Sequence, residues 1–106
     1  MNEQLNNIVN ELRQSLESLY GERLQDVILF GSQARGDALA GSDIDLLVVL
    51  EGDVRPGEEI LRTGDIVSSI SLKYDVVVSC LFLPARRFAR EQGPLLRNVR
   101  REGVSI

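Results

Sequence analysis

The stretch ILFGSQARGDALAGSDIDLLVV, residues 28–49, constrains the fold more than any other part of this 106-residue chain. It joins two apolar runs of strand length, DVILF (26–30) and DIDLLVVL (43–50). Short apolar runs bounded by turn-forming residues read as buried β-strands. The first run stops at Gly31-Ser32, and the second opens on two carboxylates one residue apart, Asp43 and Asp45. Charges in an apolar strand are costly unless something pairs them. Strand side chains alternate faces, so Asp43 and Asp45 point the same way and Leu47 and Val49 continue that face. The two aspartates therefore mark where a packed surface opens into a cleft.

The flanking segments supply the rest of an α/β layout. Leu5, Ile8, Val9, Leu12, Leu16 and Leu19 recur at three- and four-residue spacing, which predicts an amphipathic helix over 2–20 closed by Gly21. SQARG has room for about one helical turn, and DALAGS reads as a loop of small residues. A second helix is expected from Glu58 to Leu72, with Ile60, Val67 and Ile70 aligned. KYDVVVSCLFL (73–83) reads as a third strand rich in β-branched residues. Pro84 suits the first turn of a following helix, which Gly93-Pro94 interrupts before LLRNVRREG. The expected order is α-β-turn-β-α-β-α in one compact domain, residues 1–106.

Composition narrows the chemistry. The sequence is 43% hydrophobic and 26% charged, as in an ordinary globular protein. No apolar stretch approaches the roughly 20 residues that span a bilayer, and the N-terminus lacks a signal-peptide layout. No membrane association is expected. The single cysteine, Cys80, forms no internal disulfide, so a reducing cytoplasm is the expected compartment and core packing its expected role. Histidine is absent, which removes the commonest general base and transition-metal ligand. Catalysis would then rest on carboxylates, hydroxyls, arginines or a hard metal ion. The net charge of −4 argues against direct nucleic-acid binding. Within it, Arg86, Arg87, Arg90, Arg97, Arg100 and Arg101 form a local basic excess, read as a partner-docking surface or as a solvated helix face.

Asp75 precedes the apolar part of the third strand. If that strand neighbours the second with its charged end level, three carboxylates converge, and a hard cation is the partner best able to neutralise them. Mg²⁺ takes oxygen ligands and shares them with substrate phosphates, and two such ions form the clamp used in nucleotidyl displacement. Gly31 lets the backbone turn sharply, and Ser32 opens a turn whose N–H groups and hydroxyl favour a phosphate. Each feature alone is commonplace. Their combination suits a nucleoside triphosphate.

Gly31-Ser32, ten residues, then Asp43-Ile44-Asp45 resembles the G-S-x10-D-x-D signature of the DNA-polymerase-β-like nucleotidyltransferase superfamily. The string FGSQARGDALAGSDIDLLVV, with Ala34-Arg35-Gly36 and Ser42, is similar to its minimal nucleotidyltransferase branch, and GPLLRNVRREGV is similar to the end of those domains. The resemblance implies a nucleotidyltransferase fold, a small mixed β-sheet flanked by helices. It implies that Gly31 and Ser32 hold the triphosphate of ATP, with Ser42 beside the nucleotide. It implies that Asp43, Asp45 and Asp75 ligate Mg²⁺, as two ions, and that Asp75 helps activate the attacking hydroxyl. Arg35 lies near the phosphates, faces a partner, or is a solvated charge; the residues leave these readings open. These 106 residues hold no acceptor-binding domain, so the acceptor is expected on another polypeptide. The family implies an antitoxin in a hetero-oligomer with a HEPN-domain RNase toxin, silencing it by moving AMP from ATP to a tyrosine. The alternatives are an antitoxin that acts by binding alone and a nucleotidyltransferase for a small molecule or RNA.

Overall fold

In the computed structural model, residues 2–36, 38 and 43–106 are described. Helix α1 (Glu3–Tyr20) starts where the Asn2 side chain accepts the Leu5 N–H at 2.7 Å, and it ends at Gly21, whose φ of 56° side chains rarely adopt. Its buried stripe is Leu5, Ile8, Val9, Leu12, Leu16 and Tyr20. Leu19, expected in that stripe, is instead 39% exposed. The step from Leu16 continues to Tyr20, whose hydroxyl has a buried partner on another helix.

After a 3-10 turn over Gly21–Arg23, strand β1 (Leu24–Phe30) leads into the single turn α2 (Ser32–Arg35). Strand β2 (Ile44–Leu50), helix α3 (Pro56–Tyr74) and strand β3 (Val78–Pro84) follow, then α4 (Ala85–Arg90), α5 (Pro94–Glu102) and the short β4 (Val104–Ser105). The sheet order is β3-β2-β1-β4. β1 is antiparallel to β2 and β4, while β2 and β3 run parallel across α3, so the sheet is mixed.

The sheet divides the core. Val27, Leu29, Ile44, Leu46, Val48 and Leu50 pack against α1 and α3. Ile28, Leu47 and Val49 pack on the opposite face against Leu96 and Val99 of α5, with Phe88 of α4 alongside. This is the alternation expected of a sheet covered on both faces. Cys80 is half-buried against the first core, and burial pushes its thiol up to about 11.

Two further expectations are corrected, and one element was not foreseen. Helix α3 begins at Pro56 and runs to Tyr74, so Asp75 is its C-cap at φ 54° and not part of a strand. The Asp75 N–H donates to the Ser71 carbonyl, closing the last turn, and Lys73 in that turn pairs with Glu11 of α1 at 2.5 Å. Ile60 is 57% exposed, while Glu59 and Thr63 take the inward positions. The C-terminal β4 went unforeseen: two residues paired to Ile28 and Leu29 are too few to show periodicity. Gly103 makes that return possible, because a Cβ there would run into the Val99 carbonyl and Ile28.

Candidate nucleotide site

The end of β1 and the start of β2 lie side by side. Phe30 is the register partner of Asp45, so the chain leaves β1 at Gly31 directly beside the aspartate. Gly31 has φ 75° and ψ −158°, a region open essentially to glycine alone. A Cβ built there would stand 2.6 Å from Asp45 Oδ2. Glycine is therefore required twice, for the backbone turn and for the space its missing side chain leaves to the carboxylate. Beyond it, the Gly31 carbonyl accepts from the Ala34 and Arg35 N–H groups at 3.1 Å, closing the turn that carries Ser32.

Asp45 shares its face of β2 with buried Leu47 and Val49, while Asp43 is exposed just before the strand. Burial, and then the negative charge of Asp43, hold the Asp45 carboxyl above its ordinary value. Among the described residues neither carboxylate has a hydrogen bond or ion pair. Two like charges close together, one of them partly desolvated, form an electrostatic arrangement that a cation relieves.

Asp75 stands at the same end of the sheet. The Ile44 N–H donates to the Val77 carbonyl at 2.9 Å, two residues beyond Asp75. The residue registered against Asp45 is Ser79, which sequence periodicity alone could not single out. Among the described residues, no three Asp, Glu, Cys or His side chains gather into a group able to hold a metal ion. The structure thus brings Gly31, Asp43 and Asp45 together and leaves Asp75 exposed at a helix end nearby. Ser32 is the first residue of α2 and half-buried. Arg35, at the other end of that turn, pairs with Glu102 at 3.4 Å across 67 residues of sequence. Nothing in the sequence signals Glu102, because the contact depends on how α5 docks. Ser42 lies outside the described residues.

Most of the basic segment is engaged locally. Arg86 pairs with Asp53 at 3.2 Å and Arg87 with Glu91 at 2.6 Å. Arg100 donates to the Phe88 carbonyl and lies over its ring, and Arg101 donates to Asn98 at 2.8 Å. Arg90 and Arg97 have no ion-pair partner among the described residues. Among those residues, too, no helix is long and apolar enough to cross a membrane.

The nucleotidyltransferase domain model matches residues 9–101, which span both aspartates and the Gly31 turn. The chain belongs to the nucleotidyltransferase domain family. It is a nucleotidyltransferase. An inferred protein adenylyltransferase of Methanocaldococcus jannaschii is 38% identical over 96 residues, covering 90% of each chain. A second such protein from that organism is 36% identical over 72 residues, covering 68% of this chain and 72% of the relative. A structure of an inferred minimal nucleotidyltransferase superposes with a TM-score of 0.63 at 25% identity, covering 100% of this chain and 97% of that one. A toxin–antitoxin complex solved with AMP-PNP gives a TM-score of 0.63 at 20% identity, covering 98% and 72%. A tri-AMPylated HEPN toxin with its MNT antitoxin, from Shewanella oneidensis, gives 0.55 at 20% identity, covering 96% and 67%. The nucleotidyltransferase fold expected from the signature, a small mixed sheet with flanking helices, is the one these relatives share.

Proposed function

We propose that this nucleotidyltransferase is a protein adenylyltransferase that moves AMP from ATP to a tyrosine hydroxyl of a HEPN-type RNase toxin in the cytoplasm, and so acts as its antitoxin. The observation carrying this reading is the Gly31–Asp45 contact. A strained glycine is kept against a partly desolvated aspartate that has no partner among the described residues, and a second aspartate adjoins it. The names of the Methanocaldococcus jannaschii relatives support protein as the acceptor, and the toxin–antitoxin neighbours support the kind of partner.

The donor set fits magnesium: hard carboxylate oxygens, unpaired among the described residues and mutually repelling. Asp43 and Asp45 would hold the ions, two in number, with Asp75 as the third carboxylate from the same end of the sheet. Bound there, Mg²⁺ neutralises triphosphate charge and polarises the phosphoryl oxygens. The chain's own groups do the rest. Gly31 lets the backbone come close to the phosphates, and the Ser32 hydroxyl and Ser42 contribute donors. Arg35, held by Glu102, faces the phosphates as a fixed cation. Asp75 takes the proton from the acceptor hydroxyl as its oxygen bonds the α-phosphorus and diphosphate departs.

The test follows label from α-labelled ATP into a HEPN partner. Transfer should fall below detection when Asp43 and Asp45 are both changed to Ala, with the fold intact by circular dichroism. Wild-type transfer in that variant would overturn the mechanism, and full neutralisation of the RNase without transfer would show an antitoxin that works by binding. Asp75→Asn should slow transfer and leave ATP binding in place; unchanged turnover would remove Asp75 from the site.

A further inference from the structure

Asp45 has a different neighbour on each side. On one, β1 ends at Phe30 and turns through Gly31 into Ser32. On the other, β3 sets Ser79 in register with it, and registered residues of neighbouring parallel strands show their side chains on the same face. Alternation along β3 then puts Val77 and Leu81 on that face too, one to either side of Ser79. All three meet water: Ser79 is exposed, Val77 is 56% exposed and Leu81 44%. The β2 residues beyond Asp45 on this face, Leu47 and Val49, are instead buried against α5.

Past Leu81 this open strip runs into a cleft of about 380 Å³, which buried Leu47 and Leu96 line together with Leu95, itself 49% exposed. Leu47 is two residues from Asp45, so the cleft begins about 7 Å along the strand from the carboxylate. The charged residues of its lining, Arg87 and Glu91, neutralise each other at 2.6 Å. The seven residues of β3 carry no charge.

We propose that this strip is the acceptor side of the site: the protein segment bearing the target hydroxyl crosses β3, its oxygen entering over Ser79 and a neighbouring apolar side chain seated by Leu81 and Leu95. The inference rests on the adenylyl-transfer reading above and adds the direction of approach and the character of the segment. Direction follows from in-line displacement, in which attacking and departing oxygens lie on opposite sides of the phosphorus. With the triphosphate on the Gly31–Ser32 turn, diphosphate departs on the β1 side of Asp45, and the acceptor oxygen arrives on the β3 side. Its bond to the α-phosphorus forms as the bond to diphosphate breaks, and its proton leaves toward Asp75, just before that strand. The Ser79 hydroxyl holds the incoming segment by a hydrogen bond. The character of the segment follows from the strip itself. A nucleic acid would bring its phosphates against two aspartates over a strand without a cation. A protein segment whose hydroxyl-bearing residue has uncharged, apolar neighbours covers Val77 and Leu81 without dehydrating a charge.

Steady-state transfer from α-labelled ATP to a HEPN partner, with ATP and partner varied separately, tests this. Val77→Lys and Leu81→Lys should each raise the KM for the partner about tenfold or more and leave that for ATP within about twofold of wild type. Ser79→Ala should raise the partner KM about threefold, the loss of one neutral hydrogen bond. Leu72→Lys, the same change at an exposed leucine of α3, should alter neither. Equilibrium dialysis of α-labelled ATP, with circular dichroism, separates a lost acceptor from a lost nucleotide or fold. Where lysine disturbs the strand, Val77→Ser and Leu81→Ser carry the same comparison with a smaller rise. A wild type without transfer would overturn the adenylyl-transfer reading and this inference with it. Transfer with a partner KM unmoved by these changes, or with the ATP KM raised equally, would overturn this inference alone. So would a partner KM lowered by the lysines, which would mark an anionic acceptor such as RNA.

Discussion

Glu59, which is buried, and Asp45, which is half-buried, are treated in opposite ways. Glu59 is 2% exposed and fully answered: Tyr20 donates to it at 2.8 Å, and Arg62 and Arg23 stand at 3.6 and 3.9 Å. Arg23 also donates to the Glu51 and Asp53 carbonyls, so the cluster ties α1, α3 and the β2–α3 connection together. Asp45 is less buried, yet its nearest ionic neighbour is another carboxylate and its backbone neighbour a strained glycine. A buried charge satisfied within the fold serves the fold, whereas a shifted carboxyl without a partner among the described residues is the kind of group that the proposed metal-dependent transfer would use.

The largest test of that contrast is Asp45→Asn. Transfer should fall by at least about a thousandfold, about 4 kcal/mol of transition-state stabilisation, while the protein free of metal and nucleotide melts no lower than wild type. A collapse of the fold in thermal unfolding would show Asp45 to be structural after all. Glu59→Ala should do the reverse. Losing the buried carboxylate should cost about 2–3 kcal/mol in a denaturant titration, as Tyr20 loses its acceptor, with transfer per folded molecule unchanged. Tyr20→Phe is the gentler version, about 1–2 kcal/mol by the same titration, because the arginines still answer Glu59.

The smallest effect is a pH dependence, and its sign is fixed by Asp45. Its folded-state carboxyl is held above the ordinary value of 3.8. Its contribution to stability is therefore fully present below that value and is lost as pH rises through the folded value. Asp45→Asn should then match wild type in acid and gain on it as pH rises, until Asp45 is ionised. Saturating Mg²⁺ should shrink that gap by stabilising only the wild type. Melting curves over the acid-to-neutral range decide it, and an advantage largest in acid would reverse the assignment.

The first of these carboxylates was not legible in the sequence and the second was. Asp43 and Asp45 interrupt an apolar strand, and strand alternation alone puts them on one face. Gly31 before a one-turn helix announced the turn, although the clash of its absent Cβ with Asp45 needed the β1–β2 register. Glu59 sits in a helix whose apolar spacing pointed to Ile60 instead. Burying a glutamate is rational only once Tyr20 and Arg23, from distant segments, join Arg62 one turn along the same helix, and no local pattern carries that. The misplacement of Asp75 has a similar origin: β-branched residues after it favour a strand, but the helix runs through Tyr74 and the Asp75 N–H closes its last turn on the Ser71 carbonyl. The basic segment from Arg86 to Arg101 reads as a docking surface or a solvated helix face; Asp53, the Phe88 carbonyl and Asn98 occupy three of its side chains, contacts that sequence spacing does not show.

The last strand to be added has a consequence for how the domain comes into being. β1 lies between β2 and β4, and it is Val104 and Ser105, with the Ile106 N–H donating to the Val27 carbonyl at 2.9 Å, that close its outer side. During synthesis, α1, β1 and β2 emerge long before the segment that completes the sheet. Until residues 104–106 leave the ribosome, β1 presents an open row of donors and acceptors, so the nascent domain is most exposed to mispairing when nearly all of it has already been made.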